Sequence, residues 1–464
     1  MNDFSAILAK MTTAKVAQPA IDSFQHNYEA LVRNESGLIP EQAILPAIDL
    51  PNWDEIVTSC PNVDEELLGQ CVVIKLNGGL GTSMGLQAAK SLLDVREGTN
   101  FLDIMVKQIL FLRESSGKKV RLLLMNSFST SEDTLQHLLR YEANGLSAAS
   151  EVELMQNQAP KLDAATLQPA SWPQDPELEW CPPGHGDLYP ALLGSGWLEK
   201  LLAAGVKYAF VSNSDNLGAV LEPALLQYFA NSGSPFLMEV TRRTPADKKG
   251  GHLAVRKSDG QLLLREVAQC PSDDLDAFQD INTHQYFNTN NLWLRLDVLM
   301  ETLQRNKGIL PLPMIVNRKT IDPRDKNSTP VIQLEVAMGA AIECFQGASA
   351  IEIPRSRFAP VKTTADLFCL RSDAYVVGND GRVMLHPDRK GVPPNVVMDD
   401  HYKLVDSIAA IGMPSLIGCG TLKMTGLLNF ADGVIIRGNV SFVNSSNAPV
   451  TISAGTYENA DFSW

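Results

Sequence analysis

The sequence predicts an α/β protein with a mostly parallel sheet covered by helices on both faces, followed by a smaller C-terminal β-domain. Between residues 69 and 375, short apolar runs alternate with amphipathic stretches. The strand-like runs are CVVIKL, VRLLLM, YAFVS, FLMEVT and YFNTNNLWL, and the helix-like runs are FLDIMVKQILFLRE, EDTLQHLLRYEANG and GWLEKLLAAG. This alternation is typical of βαβ units, in which helices bury parallel strands. The length of 464 residues exceeds the size at which one hydrophobic core usually stops growing, so we expect at least one further folding unit.

The regions on either side of this predicted core have different patterns. Residues 1–68 are predicted to be a helical lead-in packed on the core, because Ala, Leu and Ile recur at helical spacing before a stretch interrupted by prolines. Residues 376–464 contain short β-branched runs between Gly and Asn, as in SLIGCGTLKMTGLLNFADGVIIRGNVSFVN. Closely spaced strands with such corners favour a β-helix, and a small antiparallel sheet is the alternative.

The charge balance and the cysteines indicate which partners and which cellular compartment to expect. The chain has 39 Lys and Arg against 53 Asp and Glu, and its net charge of −14 argues against binding to nucleic acid or to an anionic membrane. The seven cysteines are scattered and include no C-x-x-C pair, so we expect reduced thiols. No run approaches the roughly 20 apolar residues of a membrane span, and the N-terminus does not resemble a secretory signal. These features predict a cytoplasmic protein.

A glycine-rich loop is the first candidate for a functional site. The strand-like run CVVIKL continues directly into NGGLGTSMGLQAAKS. Glycines at 78, 79, 81 and 85 allow the backbone to approach a ligand closely, so that N–H groups can surround phosphate oxygens or a base edge. Lys90 would add a positive charge to the same phosphates. The spacing fits neither G-x-G-x-x-G nor the P-loop, and a purely structural tight turn is the alternative.

The loop LNGGLGTSMGLQAAKS resembles the signature of the eukaryotic-type UDP-glucose pyrophosphorylases. Further blocks resemble that family in the family's order across residues 70–375: CPPGHGDLY, FVSNSDNLGA, EVTRRTPADKKGGHL, FNTNNLW, VIQLEVAMGAA and RSRFAPVKTTADL. The loop differs from the L-A-G-G-Q-G-T-R-L-G form of the N-acetylhexosamine enzymes. The resemblance implies a Rossmann-like, glycosyltransferase-A-like nucleotidyltransferase fold with a mixed sheet and a C-terminal left-handed β-helix domain.

The resemblance also implies a reaction in which UTP and glucose 1-phosphate give UDP-glucose and pyrophosphate, reversibly and with Mg²⁺. Because both reactants are anionic, catalysis would depend on charge neutralisation and positioning rather than on a protein nucleophile. By resemblance, Lys90 and Lys362 contact the phosphates and His185 lies beside them. Asp215 is implied as the magnesium ligand. The simpler alternatives are solvated lysines, a histidine that fixes a loop, and a helix-capping aspartate.

The resemblance assigns the remaining site residues to two groups. The implied nucleotide-binding positions are Leu76, Asn77, Gly78, Gly79, Gly81, Gln156, Gly184 and Asp215. The implied sugar-binding positions are Asn213, Gly251, Glu266, Asn288 and Asn290. Gln156 would read the uracil edge, with a solvent-exposed amide as the alternative, and the NTNN run could equally form a turn. Ala89 departs from the family pattern, which has proline before Lys90.

Three other functions are compatible with parts of this pattern. A broad-specificity UTP-dependent pyrophosphorylase could act on galactose 1-phosphate or a similar sugar. A catalytically silent sugar-nucleotide sensor would be expected to lose Lys90, Lys362 or Asp215, and all three are present. A dinucleotide-dependent oxidoreductase is disfavoured by the glycine spacing. Self-association through the C-terminal domain is possible in this family.

Overall fold

The structure, a computed structural model, describes residues 3–60, 63–96 and 98–464, without the side chain of Ser83. Residues 1, 2, 61 and 62 of the predicted lead-in therefore lie outside the described residues. The helices, in chain order, are α1 (Ser5–Thr13), α2 (Gln18–Val32), α3 (Trp53–Ser59), α4 (Glu66–Gly69), α5 (Phe101–Ser116), α6 (Ser131–Leu138), α7 (Ala149–Val152), α8 (Leu188–Gly194), α9 (Trp197–Ala203), α10 (Pro223–Ser232), α11 (Leu275–Gln279), α12 (Leu296–Arg305), α13 (Thr364–Arg371) and α14 (Asp406–Ala409).

The strands, in chain order, are β1 (Ile44–Pro46), β2 (Cys71–Asn77), β3 (Asp94–Arg96), β4 (Thr99–Asn100), β5 (Arg121–Asn126), β6 (Glu153–Met155), β7 (Ala159–Pro160), β8 (Leu162–Asp163), β9 (Trp180–Cys181), β10 (Tyr208–Asn213), β11 (Phe236–Arg242), β12 (His252–Arg256), β13 (Leu262–Arg265), β14 (Tyr286–Arg295), β15 (Met314–Thr320), β16 (Pro330–Val336), β17 (Ser349–Glu352), β18 (Tyr375–Val377), β19 (Val383–Leu385), β20 (Asn395–Met398), β21 (Ser415–Thr425), β22 (Leu428–Phe430), β23 (Val434–Val443), β24 (Val450–Ile452) and β25 (Gly455–Ser463). The predicted strand runs form β2, β5, β10, β11 and β14, and the predicted helical runs form α5, α6 and α9.

A ten-stranded mixed sheet forms the centre of the fold. Its main path runs β1-β12-β14-β10-β2-β5-β6, with β11, β13 and β17 attached to the side. Strands β10, β2, β5 and β6 are parallel, whereas β14 pairs antiparallel with both β10 and β11. The expectation of a mostly parallel sheet is therefore wrong, and the mixed sheet implied by the resemblance is confirmed. Apolar runs of this kind do not encode strand direction.

Helices cover both faces of this sheet, as predicted. Alternate residues of β2 enter two different cores, because successive side chains of a strand point to opposite faces. Val73 packs in one core with Phe101 of α5, and Ile74 packs in the other with Leu188 of α8. Helix α5 begins at a capping box in which Asn100 accepts a hydrogen bond from the backbone of Asp103.

The N-terminal segment contributes more than helices. Ile7 and Met11 of α1 and Phe24 of α2 pack against Met314 and Leu334, on the three-stranded sheet β15-β16-β8. In addition, β1 pairs antiparallel with β12 and becomes an edge of the central sheet. The prediction of a purely helical lead-in missed this strand because it is only three residues long.

The C-terminal strands pair in parallel. The order β20-β21-β23-β25 forms one sheet, and β22 pairs with β24 in a second. Leu422 is in register with Val440, and Met424 with Phe442, so that buried apolar side chains stack from strand to strand. The alternative of a small antiparallel sheet is wrong for these strands.

Among the described helices, none has the length and apolar character needed to cross a membrane. All seven cysteines are free thiols in the structure.

Candidate active site

A cavity of about 270 Å³ lies at the carboxyl edge of the parallel strands. Strands β2, β5 and β10 end together at this edge, since Leu76 is in register with Asn213 and Asn77 with Asn126. Ligands of α/β sheets typically bind beyond such strand ends. The residues lining the cavity are Leu76, Gly78, Gly79, Lys90, Met125, Gln156, Pro182, Gly184, His185, Asn213, Ser214 and Asp215. Nine of these twelve are predicted site residues.

The glycine loop folds back on itself and brings Lys90 to this cavity. The Lys90 N–H donates to Gly79 O at 3.0 Å, which closes the loop. Gly81 has φ of +63°, and a β-carbon there would lie 2.8 Å from Leu86 Cδ1. The left-handed backbone favours glycine at this position, and a larger residue would also have to displace the end of the Leu86 side chain. Ala89 has φ of −53°, within the range of proline, so a proline at this position would fit the same backbone φ.

Two predicted nucleotide-binding residues do not line the cavity. Gly81 shapes the turn, as described above. Asn77 is buried, and its side-chain amide donates to Asn126 Oδ1 at 2.8 Å and to Thr134 Oγ1 at 3.0 Å. The Asn77 side chain thus joins the ends of β2 and β5 to α6, a role that only the three-dimensional neighbours reveal.

Lys90 and Asp215 form an ion pair across the cavity. Lys90 Nζ donates to Asp215 Oδ2 at 2.7 Å, and the two side chains are only 16% and 20% exposed. Asp215 Oδ1 is buried and has no hydrogen-bond partner among the residues that the structure describes. The sequence predicted a ligand contact for each residue separately, and their pairing was missed because 125 positions separate them. The helix-cap alternative for Asp215 is wrong, since α10 begins only at Pro223.

His185 and Gln156 also line the cavity. His185 Nδ1 accepts a hydrogen bond from the Met338 N–H at 2.9 Å, so the proton of a neutral ring lies on Nε2. Burial lowers the pKa of His185 to about 4, so the imidazole is neutral at physiological pH. Gln156 Nε2 donates to Gly184 O at 3.0 Å, which makes the exposed-amide alternative wrong. The Nε2–H of the neutral ring can therefore donate a hydrogen bond to a ligand. Nδ1 fixes the loop through its bond to Met338, as the loop-fixing alternative proposed.

Asp187 is a buried residue of the His185 loop that the sequence did not reveal; it does not line the cavity. Its carboxylate accepts hydrogen bonds from Asn157 N at 2.6 Å and from Asn157 Nδ2 at 3.1 Å. Burial raises the pKa of Asp187 to about 7. The contact ties the His185 loop to the segment that carries Gln156. Its position in the motif PPGHGD was the available signal.

Gly184 permits the close packing of this loop on β16. Its φ is +84°, and a β-carbon there would clash with Val336 O and lie 2.8 Å from Val336 N. We predict that Gly184→Ala lowers the free energy of unfolding by about 2–4 kcal/mol, from a strained backbone plus a steric clash. Urea denaturation measures this change.

The matched control is Gly205→Ala. Gly205 has φ of +76°, but a β-carbon there would meet nothing within 4 Å. Its substitution isolates the backbone strain, for which we expect about 1 kcal/mol. Equal destabilisation by the two substitutions would contradict the packing account of Gly184.

Four of the five predicted sugar-binding residues form a second group, whereas Asn213 lines the cavity described above. Gly251 O accepts from Asn288 N at 3.0 Å, and a β-carbon on Gly251 would lie 2.6 Å from the Glu266 carboxylate. Asn288 Nδ2 donates to Asn290 Oδ1 at 2.9 Å. The NTNN run lies within β14 at a bulge, so the alternative of a separate turn is wrong.

Lys362 lies between the two groups. The N–H of its neighbour Val361 donates to Asp215 O at 3.1 Å. Burial raises the pKa of Glu266, and the positive charge of Lys362 opposes that rise, which places the ammonium within electrostatic reach of the carboxylate. The Lys362 side chain is exposed. The structure thus brings Lys362 beside the cavity without including it in the wall.

Asp215 is the carboxylate among the described residues that line the cavity, and it is the candidate ligand for a metal ion. Within the described ranges of the chain, no three His, Cys, Asp or Glu side chains cluster as a metal site. Asp215 Oδ1 is buried and has no hydrogen-bond partner within the described part of the chain, which suits a cation at this edge. Mg²⁺ commonly takes one or two protein carboxylates and completes its shell with water and substrate phosphates. A single carboxylate beside a phosphate-binding loop fits that pattern.

Comparison with known proteins places the chain in a family. The family model for UTP–glucose-1-phosphate uridylyltransferase matches residues 21–437. The enzyme of that name from Saccharomyces cerevisiae is 39% identical over 421 residues, which cover 87% of this chain and 82% of the yeast chain. UDP-glucose pyrophosphorylase from Leishmania major, solved in open and closed structures, is 46% identical with a TM-score of 0.92, covering 99% of this chain and 98% of that one. A mutant of that enzyme in complex with UDP-glucose is 45% identical with a TM-score of 0.91, over 99% and 98% of the two chains. This chain belongs to the UTP–glucose-1-phosphate uridylyltransferase family.

Proposed function

We propose that this protein transfers the uridylyl group of UTP to glucose 1-phosphate, giving UDP-glucose and pyrophosphate in a reversible reaction. The observation that carries the proposal is the cavity in which the glycine loop, Gln156, His185 and the Lys90–Asp215 pair converge. Family membership supports the same reaction. The relatives are named for glucose 1-phosphate, and nothing in them favours the broad-specificity alternative.

In the proposed mechanism, a phosphate oxygen of glucose 1-phosphate attacks the α-phosphorus of UTP. The new P–O bond forms as the bond to the bridging oxygen of the β-phosphate breaks, and that oxygen leaves with pyrophosphate. Lys90 and Lys362 neutralise the charge on the transferring and leaving groups, which is the main contribution a protein can make to phosphoryl chemistry. His185 would donate a hydrogen bond from its Nε2–H to a phosphate oxygen without adding positive charge.

Asp215 is the residue proposed to hold Mg²⁺. When bound, the metal would neutralise phosphate charge and help to orient the triphosphate. Asp215 Oδ1 is free to accept a cation, whereas Oδ2 is paired with Lys90. Lys90 therefore has two competing partners, the carboxylate and the phosphates. Substrate binding would shift its ammonium from the first to the second.

Recognition of the base and the sugar is assigned to neutral groups. Gln156 and the backbone at Gly78 and Gly184 would hold the uracil edge with amide donors and acceptors. The glucose hydroxyls would be held by the group of five predicted above, namely Asn213, Gly251, Glu266, Asn288 and Asn290. A raised pKa at Glu266 suits a carboxyl that exchanges hydrogen bonds with hydroxyl groups.

We also propose the finer architecture implied by the resemblance: a glycosyltransferase-A-like nucleotidyltransferase domain at 69–375 and a left-handed β-helix domain at 376–464. The parallel pairing of β20, β21, β23 and β25 supports the second. The boundaries, the cytoplasmic location and self-association through the C-terminal domain stay predictions.

Replacement of Gln156 by leucine is predicted to raise the KM for UTP about tenfold, because the uracil edge loses a paired amide. We expect kcat within about threefold of the parent, since the side chain does not contact the reacting phosphorus. Steady-state kinetics at varied UTP measure both constants. Gln304→Leu, on the exposed face of α12, is the control. A lower kcat with an unchanged KM would contradict the base-binding role.

The test of the proposed function uses purified protein with UTP, Mg²⁺ and separate sugar 1-phosphates, with pyrophosphate release as the readout. We expect kcat/KM to be highest with glucose 1-phosphate. Equal values for glucose and galactose 1-phosphate would replace the proposal with the broad-specificity alternative. No pyrophosphate release with any sugar phosphate would favour the sensor.

A further inference from the structure

A buried network of polar side chains lies behind the cavity and ends beside Lys362. At its centre is Glu239 of β11, which is fully buried. Its carboxylate accepts hydrogen bonds from Arg357 Nη2 at 2.7 Å and Nε at 3.0 Å. It also accepts from Asn291 Nδ2 and Trp293 Nε1, each at 2.9 Å. Four donors fix the orientation of this carboxylate, and through it the guanidinium of Arg357.

Asn216 connects this network to the segment that carries Lys362. Its side-chain Nδ2 donates to Arg357 O at 3.1 Å and to Asn291 Oδ1 at 3.3 Å, and its Oδ1 accepts from Ala359 N at 3.0 Å. The bonds to Arg357 and Ala359 are to backbone atoms, so they fix the course of the chain rather than one rotamer. The Val361 N–H donates to Asp215 O in the same ladder. Residues 357–361 are therefore fastened along residues 215 and 216.

Lys362 is fixed from its other side as well. Asp366, in the first turn of α13, accepts from the backbone N–H of Lys362 at 2.8 Å and of Thr363 at 2.7 Å. The backbone is thus anchored on both sides of this exposed lysine, and its side chain remains free to move.

We propose that Asn216, backed by the buried Arg357–Glu239 pair, is a positioning residue that sets the separation between Lys362 and Asp215 during uridylyl transfer. This inference rests on the proposed function, because it requires Lys362 to act on the phosphates. A buried ion pair contributes little net stability compared with apolar packing, whereas it can specify one arrangement of the chain. Misplacement of a catalytic group by about 1 Å can cost on the order of 100-fold in rate.

A double-mutant cycle between Asn216→Ala and Lys362→Ala tests the proposal. With Lys362 present, we expect Asn216→Ala to lower kcat about tenfold, with the KM for UTP within about twofold. With Lys362 already replaced, the same change is expected to alter kcat by less than about twofold, because there is no ammonium left to position. An exclusively structural role would lower kcat equally in both backgrounds.

Asn100→Ala is the matched control. Asn100 is a buried asparagine that caps α5, and its side chain bonds to His137 and Asp103 rather than to Lys362 or to a residue lining the cavity. It is expected to lower the Tm without changing kcat. If Asn216→Ala does not fold, Asn216→Ser, which keeps a polar group at this buried position, replaces it in the cycle. Equal loss of kcat with and without Lys362, or no loss in either, would overturn the proposal alone. Parent-like kcat in Lys362→Ala would overturn both the proposal and the catalytic role of Lys362.

Discussion

Replacement of Lys362 by alanine is expected to lower kcat by about 100- to 1,000-fold, the scale observed when one donor to a developing negative charge is removed. Lys362 is exposed and its backbone is anchored by Asp366 and by the Asn216 ladder, so the fold does not depend on its side chain. We therefore expect a Tm close to that of the parent. Stopped assays of pyrophosphate release and thermal unfolding measure the two quantities.

Lys423→Ala is the matched control for this experiment. Lys423 is also exposed, but it lies on β21 in the C-terminal region. Its replacement is expected to leave kcat unchanged. A kcat for Lys362→Ala within about threefold of the control would remove Lys362 from the proposed chemistry, because that loss is well below the effect of a phosphate-contacting cation.

Replacement of Asp215 by asparagine is the second large predicted effect. The amide keeps the shape of the side chain but loses the negative charge that would hold Mg²⁺ and that now pairs with Lys90. We expect kcat to fall by about 100-fold and the magnesium concentration for half-maximal rate to rise at least about tenfold. Magnesium titrations at saturating UTP, with calorimetric titration of Mg²⁺ into the UTP complex as a binding readout, measure the change.

Asp276→Asn serves as the control, because Asp276 is an exposed aspartate of α11. A parent-like magnesium response in Asp215→Asn, by rate and by calorimetry, would show that the metal is held elsewhere. Lost activity with an unchanged magnesium response would instead limit Asp215 to its ion pair with Lys90.

The sequence predicted the strands and helices that position the site, but not the direction of every strand. The runs that became β2, β5, β10 and β14 share the same apolar character, yet β14 is antiparallel to β10. Burial on both faces determines such composition, and strand direction leaves no comparable signature. Strand β1 was missed because its three residues are too few to show the alternation by which a strand is recognised.

The resemblance named the candidate site residues one by one, and it did not predict the contacts between them. Lys90, Gln156, His185 and Asp215, which it named, all line one cavity in the structure. The Lys90–Asp215 pair joins distant positions, which spacing along the chain cannot reveal.

Buried polar residues behind the wall were the other omission. Asp187 and Asn216 lie inside motifs that were recognised, but their partners, Asn157 and the backbone of Arg357, become evident only in three dimensions. An unpaired buried polar group is costly, so these partners are needed wherever such residues occur. Sequence reasoning finds the groups that face a ligand more readily than the groups that support them.

The claim on which the account depends is that Lys90 and Lys362 meet around the phosphates in the cavity beside Asp215. The most direct measurement is a crystal structure of this protein with UDP-glucose and Mg²⁺. We expect the diphosphate to lie against the glycine loop, with Lys90 Nζ and Lys362 Nζ each at hydrogen-bonding distance from its oxygens and Lys90 released from Asp215. A diphosphate bound away from both lysines would contradict the account.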